Sequence, residues 1–238
     1  MNRLLATLRC DVRLQFRNGF YLAVTFVVVF MAVALRQLIR WLPEVDLGWW
    51  LPGLVLSNML INTFYFIGGL VLLEKGEGTL EAQVVTPLRS WEYLASKVIT
   101  LAGLALVENL LIVSAGYGLR FALGPLALGV ALITALFGLY GFLVVARYDS
   151  INEYLFPSFW YTPVLLLPLL DYFGIWKSWL FYFHPVQAPL LILQAAFQPI
   201  ETWQWVYSLL YGGLWLGVMV VLSERAFQQF VIAKAGVR

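Results

Sequence analysis

Six stretches of this chain approach the length of apolar helix that a bilayer demands, and this constrains its fold more than any other feature. They cover residues 19–42, 51–73, 98–119, 121–146, 154–170 and 204–222. A helix rises about 1.5 Å per residue, so roughly 20 apolar residues cross the ~30 Å hydrocarbon core. A water-soluble domain has no means of covering six such segments. The chain is 62% hydrophobic and only 12% charged, with a mean hydropathy of +0.84, well outside the soluble globular range. The expectation is an all-α integral membrane protein with six transmembrane helices. The fifth stretch is the shortest and carries Pro157, Pro163 and Pro168. Membrane helices tolerate these where neighbouring groups satisfy the freed carbonyls.

The basic residues set an orientation. With the N-terminus inside, Arg3, Arg9, Arg13, Arg17, Lys75, Arg89, Lys97, Arg147, Arg225, Lys234 and Arg238 fall on the cytoplasmic side, and Arg36, Arg40, Arg120 and Lys177 outside. Eleven against four is a clear positive-inside bias, so both termini are expected in the cytoplasm. Trp41, Trp49, Trp50, Trp176, Trp179, Trp203 and Trp205 gather near the opposite boundary, where indole rings prefer to sit. The basic residues are committed to topology, and the net charge of +2 gives no reason to invoke nucleic acid. No small-residue cleavage site follows the first apolar run, so that run reads as an uncleaved anchor. Cys10, the single cysteine, excludes an intrachain disulfide and argues against a metal cluster.

One membrane domain, 1–238, fills the chain. Residues 1–18 open it as an amphipathic surface helix, with Leu5, Leu8, Val12 and Phe16 on one face and Arg9, Arg13 and Arg17 on another. The largest cytoplasmic loop, 74–97, reads Glu74-Lys-Gly-Glu-Gly-Thr-Leu-Glu81 and then Ala-Gln-Val-Val-Thr-Pro87-Leu-Arg. Gly76 and Gly78 relax the backbone where the second span ends. Thr79 suits an N-cap, and Pro87 stops the helix near Val85 because it disfavours helical geometry at Thr86. Ser90 is placed to cap a second helix, 91–97, which feeds into the third span. Such an acidic projection fits a basic protein groove better than an anionic lipid surface.

This loop, with Thr86-Pro-Leu-Arg89 and Glu92-Tyr-Leu-Ala-Ser-Lys97, resembles the cytoplasmic signature of ABC-2 type exporter permeases. Asp11-Val-Arg-Leu-Gln-Phe-Arg17-Asn-Gly-Phe is similar to their elbow helix. Phe183-His-Pro185-Val-Gln-Ala-Pro-Leu-Leu is similar to the segment before the last span, above all in the small fluoroquinolone-exporter permeases. The second glutamate of the usual Glu-x-Glu core is displaced here by Gly76 and returns as Glu77. The resemblance implies a coupling helix seated in a groove of a separate ATP-binding cassette subunit, with Glu74, Glu77, Gly78, Thr79, Leu80, Glu81, Thr86 and Pro87 carrying that contact. It also implies two permeases, alike or different, with two ATPases in the inner membrane of a prokaryote. The cargo would be an amphiphilic drug, lipid or other small molecule. ATP and Mg would be bound by the partner and no cofactor by this chain; no Gly-x-x-x-x-Gly-Lys-Ser/Thr loop occurs in it.

Other classes find less support. A secondary transporter or channel would be expected to carry more intramembrane charge and often repeated halves. An intramembrane enzyme lacks its parts: His184, the only histidine, has no second histidine for a metal and only Asp171 as a nearby carboxylate. Haem- or polysaccharide-handling permeases are the nearest rivals within the ABC-2 class.

Two further features carry expectations. Glu108 lies 11 residues beyond Lys97, roughly 16 Å along a helix and near mid-bilayer. Asn62 reaches a similar depth on the second span, with Asn58 one turn away. Asn58, Asn62 and Glu108, with Asn109 adjoining, are expected to form a polar cluster joining spans two and three. Helix–helix glue is its favoured role, and a lining of the substrate path is the alternative. The outer-face segment 171–203 is read chiefly as an aromatic-rich surface cap, with 189–197 long enough for a short re-entrant helix.

Overall fold

The computed structural model describes residues 3–84, 86 and 88–232; the side chains of Glu81 and Val84 are not described. The described residues form helices joined by short turns and loops, without strands. Helix α1 spans Arg3–Arg17, α2 Phe20–Trp41, α3 Leu47–Gly76, α4 Thr79–Val84, α5 Ser90–Tyr117, α6 Leu123–Val145, α7 Ile151–Leu166, α8 Pro168–Tyr172, α9 Gln187–Gln194 and α10 Thr202–Ile232. Five of them, α2, α3, α5, α6 and α10, are long and apolar enough to cross a membrane.

The fifth apolar window forms two shorter helices, α7 and α8, meeting at Leu167 next to Pro168. Pro168 begins α8, where its missing N–H matters least. Helix α3 begins four residues before the apolar window because the Asp46 carboxylate accepts from the Gly48 N–H at 3.0 Å. A π turn over Leu60–Tyr65 interrupts its regular winding.

Helices α3 and α6 form the centre, with 67% and 72% of their apolar windows buried, against 11% for α2 and 17% for α10. Helix α6 packs against α5, α9, α10 and the π turn of α3, while α1 and α2 lie along α5. The contact between α6 and the π turn is close because Gly141 has no side chain. A Cβ there would lie 2.7 Å from Ile67 Cγ2 and 3.0 Å from the Phe64 carbonyl oxygen. Gly212 likewise meets Leu132, whereas Gly213 and Gly217 face open space.

The short helix in the outer-face segment departs from the surface-cap expectation. Helix α9 is buried from Gln187 to Leu193 and packs against α3, α6 and α10. Its lack of charge permits this, and Gly129 lets Leu193 approach α6. His184 prepares its start: its Nδ1 accepts the Val186 N–H at 3.2 Å, and burial pushes the imidazole down to about 4 from 6.5. The unfolded chain therefore binds the proton more readily, and stability is expected to fall as the pH drops from 6.5 towards 4. A His184→Gln variant should flatten that part of the pH–stability curve in thermal melts.

Candidate functional site

Two polar constellations stand out, one at the foot of the helices and one half-way along α5. At the foot, the Lys97 ammonium lies fully buried between two carboxylates, 2.6 Å from Asp11 Oδ1 and 2.6 Å from Glu74 Oε1. Tyr93 donates its hydroxyl to Glu74 Oε2 at 2.6 Å, and Ser96 donates to Asp11 Oδ2. One helical turn further, Gln15 donates to the Thr100 hydroxyl at 2.9 Å. Three elements meet in this clamp: α1 through Asp11 and Gln15, the end of α3 through Glu74, and α5 through Lys97. Burying three charges is costly, and the clamp is stable only because each carboxylate oxygen has a hydrogen-bonding or ionic partner.

The clamp turns α1 in a definite direction. Asp11 and Gln15 point inwards, leaving Leu5, Val12 and Phe16 exposed along with Arg9, Arg13 and Arg17. Most of the apolar face of this helix is thus left open, with Leu8 half-buried and the Phe16 ring against Tyr21. Such an outward apolar stripe beside arginines is the pattern of a helix lying in a lipid interface.

Next to the clamp sits α4. Gly78, in the left-handed conformation with φ +68°, makes the turn, and its carbonyl accepts the Ala82 N–H at 3.2 Å. Gly78 therefore precedes the helix, and Thr79 is its first residue rather than its cap. The Thr79 hydroxyl donates instead to the Glu74 carbonyl at 3.2 Å. Leu80 is buried, Glu77 and Thr86 are exposed, and Glu77 receives both of its short contacts from Arg17 at 2.8 Å. This pair is exposed and contributes ~0–1 kcal/mol. An Arg17→Ala variant should therefore unfold within about 1 kcal/mol of the parent in denaturant titrations. Pro87 lies outside the described residues, as does the side chain of Glu81. The helix over 91–97 does feed into the third span, as one unbroken α5; its cap is Arg89 rather than Ser90, and Glu92 accepts the Arg89 N–H at 2.9 Å to close its first turn. The neighbouring Lys75 ammonium donates to the Ala146 and Tyr148 carbonyls at 2.9 and 2.6 Å, tying the end of α3 to the end of α6.

The second constellation lies between α3 and α5. Asn58 Nδ2 donates to Glu108 Oε1 at 2.9 Å, and Asn62 Nδ2 donates to the same oxygen. Asn62 also contacts Asn58 Oδ1 at 3.1 Å, and Asn109 Nδ2 donates to the Ala105 carbonyl at 2.8 Å. All four side chains are buried. The structure thus joins Asn58, Asn62, Glu108 and Asn109, while Glu74 is withdrawn from the surface of the loop that holds Glu77.

Sequence reasoning missed the clamp partners Asp11, Tyr93, Ser96 and Lys97. The available signal was Asp11 and Gln15, two polar residues four apart on the side of α1 opposite its arginines. The sequence profile of the fluoroquinolones export permease protein family matches residues 2–235. Two Mycobacterium tuberculosis proteins, from strains CDC 1551 / Oshkosh and ATCC 25618 / H37Rv, are each 32% identical to this chain over 241 residues. Each match covers 100% of both chains, and both relatives bear the name fluoroquinolones export permease protein. With the profile and both relatives matching from end to end, the chain belongs to the fluoroquinolones export permease family.

Proposed function

We propose that this chain is the membrane subunit of an ATP-binding cassette exporter of ABC-2 type. In this reading it works as a dimer of permeases with two ATPase subunits, in the inner membrane of a prokaryote. Six spans cross the bilayer, α7 and α8 together forming the fifth, and both termini are cytoplasmic. The cargo is an amphiphilic small molecule; the relatives' names point towards fluoroquinolones. ATP and Mg are held by the partner, and this chain contributes motion rather than chemistry.

The observation that carries the proposal is the construction of the 74–97 loop. Helix α4 projects next to a buried three-helix clamp, with Glu77 exposed on the turn before it. A merely linking loop has no need to be fixed to α1, α3 and α5 at once. A docking element does, because a push on a loose loop is dissipated before it reaches the spans. Glu77, Gly78, Thr79, Thr86, Pro87 and Glu81 are assigned to the partner's groove, whereas Glu74 and Leu80 hold the element in place from inside.

Charge reversal tests this. Glu77→Lys with Glu81→Lys is expected to lower export by about tenfold or more, as expected for charges facing a basic partner, and to abolish substrate-stimulated ATP hydrolysis. Insertion into the membrane should persist. Adding Arg17→Glu restores the pair with position 77, and export should remain low if the partner contact is what was lost. Unchanged export in the double variant would refute the docking role.

A further inference from the structure

We propose that Glu108 and Asn62 form the polar end of a binding site for apolar molecules carrying a protonated amine. The inference rests on the exporter reading and names the chemistry of the cargo. Helix–helix glue accounts for only part of the cluster. The amide donors of Asn58 and Asn62 reach Glu108 Oε1, and that of Asn109 reaches a backbone carbonyl. Glu108 Oε2 and Asn62 Oδ1 are buried with no hydrogen-bond partner among the described residues. With Glu108 ionised, both unmet groups are acceptors, so the site calls for a donor. Unpaired buried acceptors are costly, so a donor brought to these two oxygens would be favourable.

Charge points the same way. Among the described residues no lysine, arginine or histidine forms an ion pair with Glu108, and Lys97 is held by Asp11 and Glu74. A proton aside, a cation that neutralises Glu108 comes from outside the described side chains, and a protonated amine supplies N–H donors as well as charge. An anionic head group meets only acceptors and repulsion.

The space is present beside the cluster. A cavity of about 790 Å³ lies between α2 and α3, and Asn62 forms part of its wall. This volume falls within the range of sites for drug-sized molecules. Leu22, Phe26, Val29, Ile61 and Phe66 supply its apolar and aromatic lining. Leu22, Phe26 and Val29 are themselves exposed, so the cavity is open on the side of α2 that would face lipid. Asn62 lies within the π turn of α3, a departure from regular winding that recurs at functional sites. An amphiphile entering from the bilayer would lay its ring system on Phe26 and Phe66 and bring its ammonium to Asn62, with Glu108 bonded directly behind that side chain.

The test uses the full chain in lipid nanodiscs, without ATP or an ATPase, with empty discs as the blank. The probes are a dansylated alkylamine and its N-acetyl derivative, which is neutral and otherwise alike. The parent protein is expected to bind the amine roughly tenfold more tightly than the amide. Glu108→Gln should erase that preference. Val29→Trp, which fills the cavity and leaves the cluster untouched, should weaken both probes; it guards against a Glu108→Gln variant that fails to fold. Equal binding of the two probes by the parent would overturn the proposal, as would an unchanged preference in folded Glu108→Gln or undiminished binding in Val29→Trp. Selective amine binding together with failure of ATP-driven export would sink the pump reading and leave this site standing.

Discussion

Lys97→Met is expected to be the most damaging single substitution in the chain. Methionine roughly matches the length of the lysine stem and removes only the charge and its donors. Asp11 and Glu74 would then face one another in a dry site, each having lost a 2.6 Å ionic contact. Removing one partner of a buried ionic network costs about 3–5 kcal/mol, far more than the net worth of the intact network. The loss should appear as a large drop in melting temperature in detergent and as rapid proteolysis of α1. Neutralising the carboxylates as well, with Asp11→Asn and Glu74→Gln, should recover a good part of the loss. A single Lys97→Met protein that melts with the parent would mean that the clamp does not hold these helices together.

The second large effect is expected at Gly141. Even alanine there places its Cβ 2.7 Å from Ile67 Cγ2, 3.0 Å from the Phe64 carbonyl oxygen and 3.2 Å from Phe64 Cδ2. The carbonyl is backbone and has no rotamer by which to retreat, so α3 and α6 must separate. Overpacking of this kind costs about 1–3 kcal/mol, and Gly141→Leu should exceed Gly141→Ala. The damage falls on the π turn that carries Asn62, so amine selectivity should weaken along with thermal stability. Gly217→Leu, facing open space, serves as the control and should melt with the parent. Equal melts for the Gly141 and Gly217 variants would show that the close approach is not required.

Much of the architecture could be read directly from the chain, because bilayer thickness converts apolar length into helix length with little ambiguity. The meeting of Glu108 with Asn58 and Asn62 was also legible, since depth along two antiparallel helices can be counted from their ends. The clamp was not. Asp11 and Lys97 are 86 residues apart, and no periodicity in either helix records a contact made across three elements. Lysine and aspartate near a membrane boundary read as topology signals and as side chains turned to water, and only the packing of α1 on α5 shows them buried. The choice between a surface cap and an inserted helix for 189–197 was illegible for a similar reason: a short apolar segment flanked by prolines looks alike whether it lies on a surface or within a bundle. The π turn left no mark either, since nothing in Leu-Ile-Asn-Thr-Phe-Tyr distinguishes it from ordinary helix.

The unbroken winding of α5 has a mechanical consequence. Its 28 residues form one stiff axle with Lys97 near the lower bearing and Glu108 further up the shaft. The parallel shaft, α3, has a joint at Leu60–Tyr65, between Glu74 below and Asn58 above. A torque delivered to both lower ends at once reaches Glu108 undiminished but is partly absorbed before it reaches Asn58. The carboxylate and its amide companions would then be displaced by unequal amounts, and on the exporter reading proposed above a single stroke at the base would alter their grip on one another.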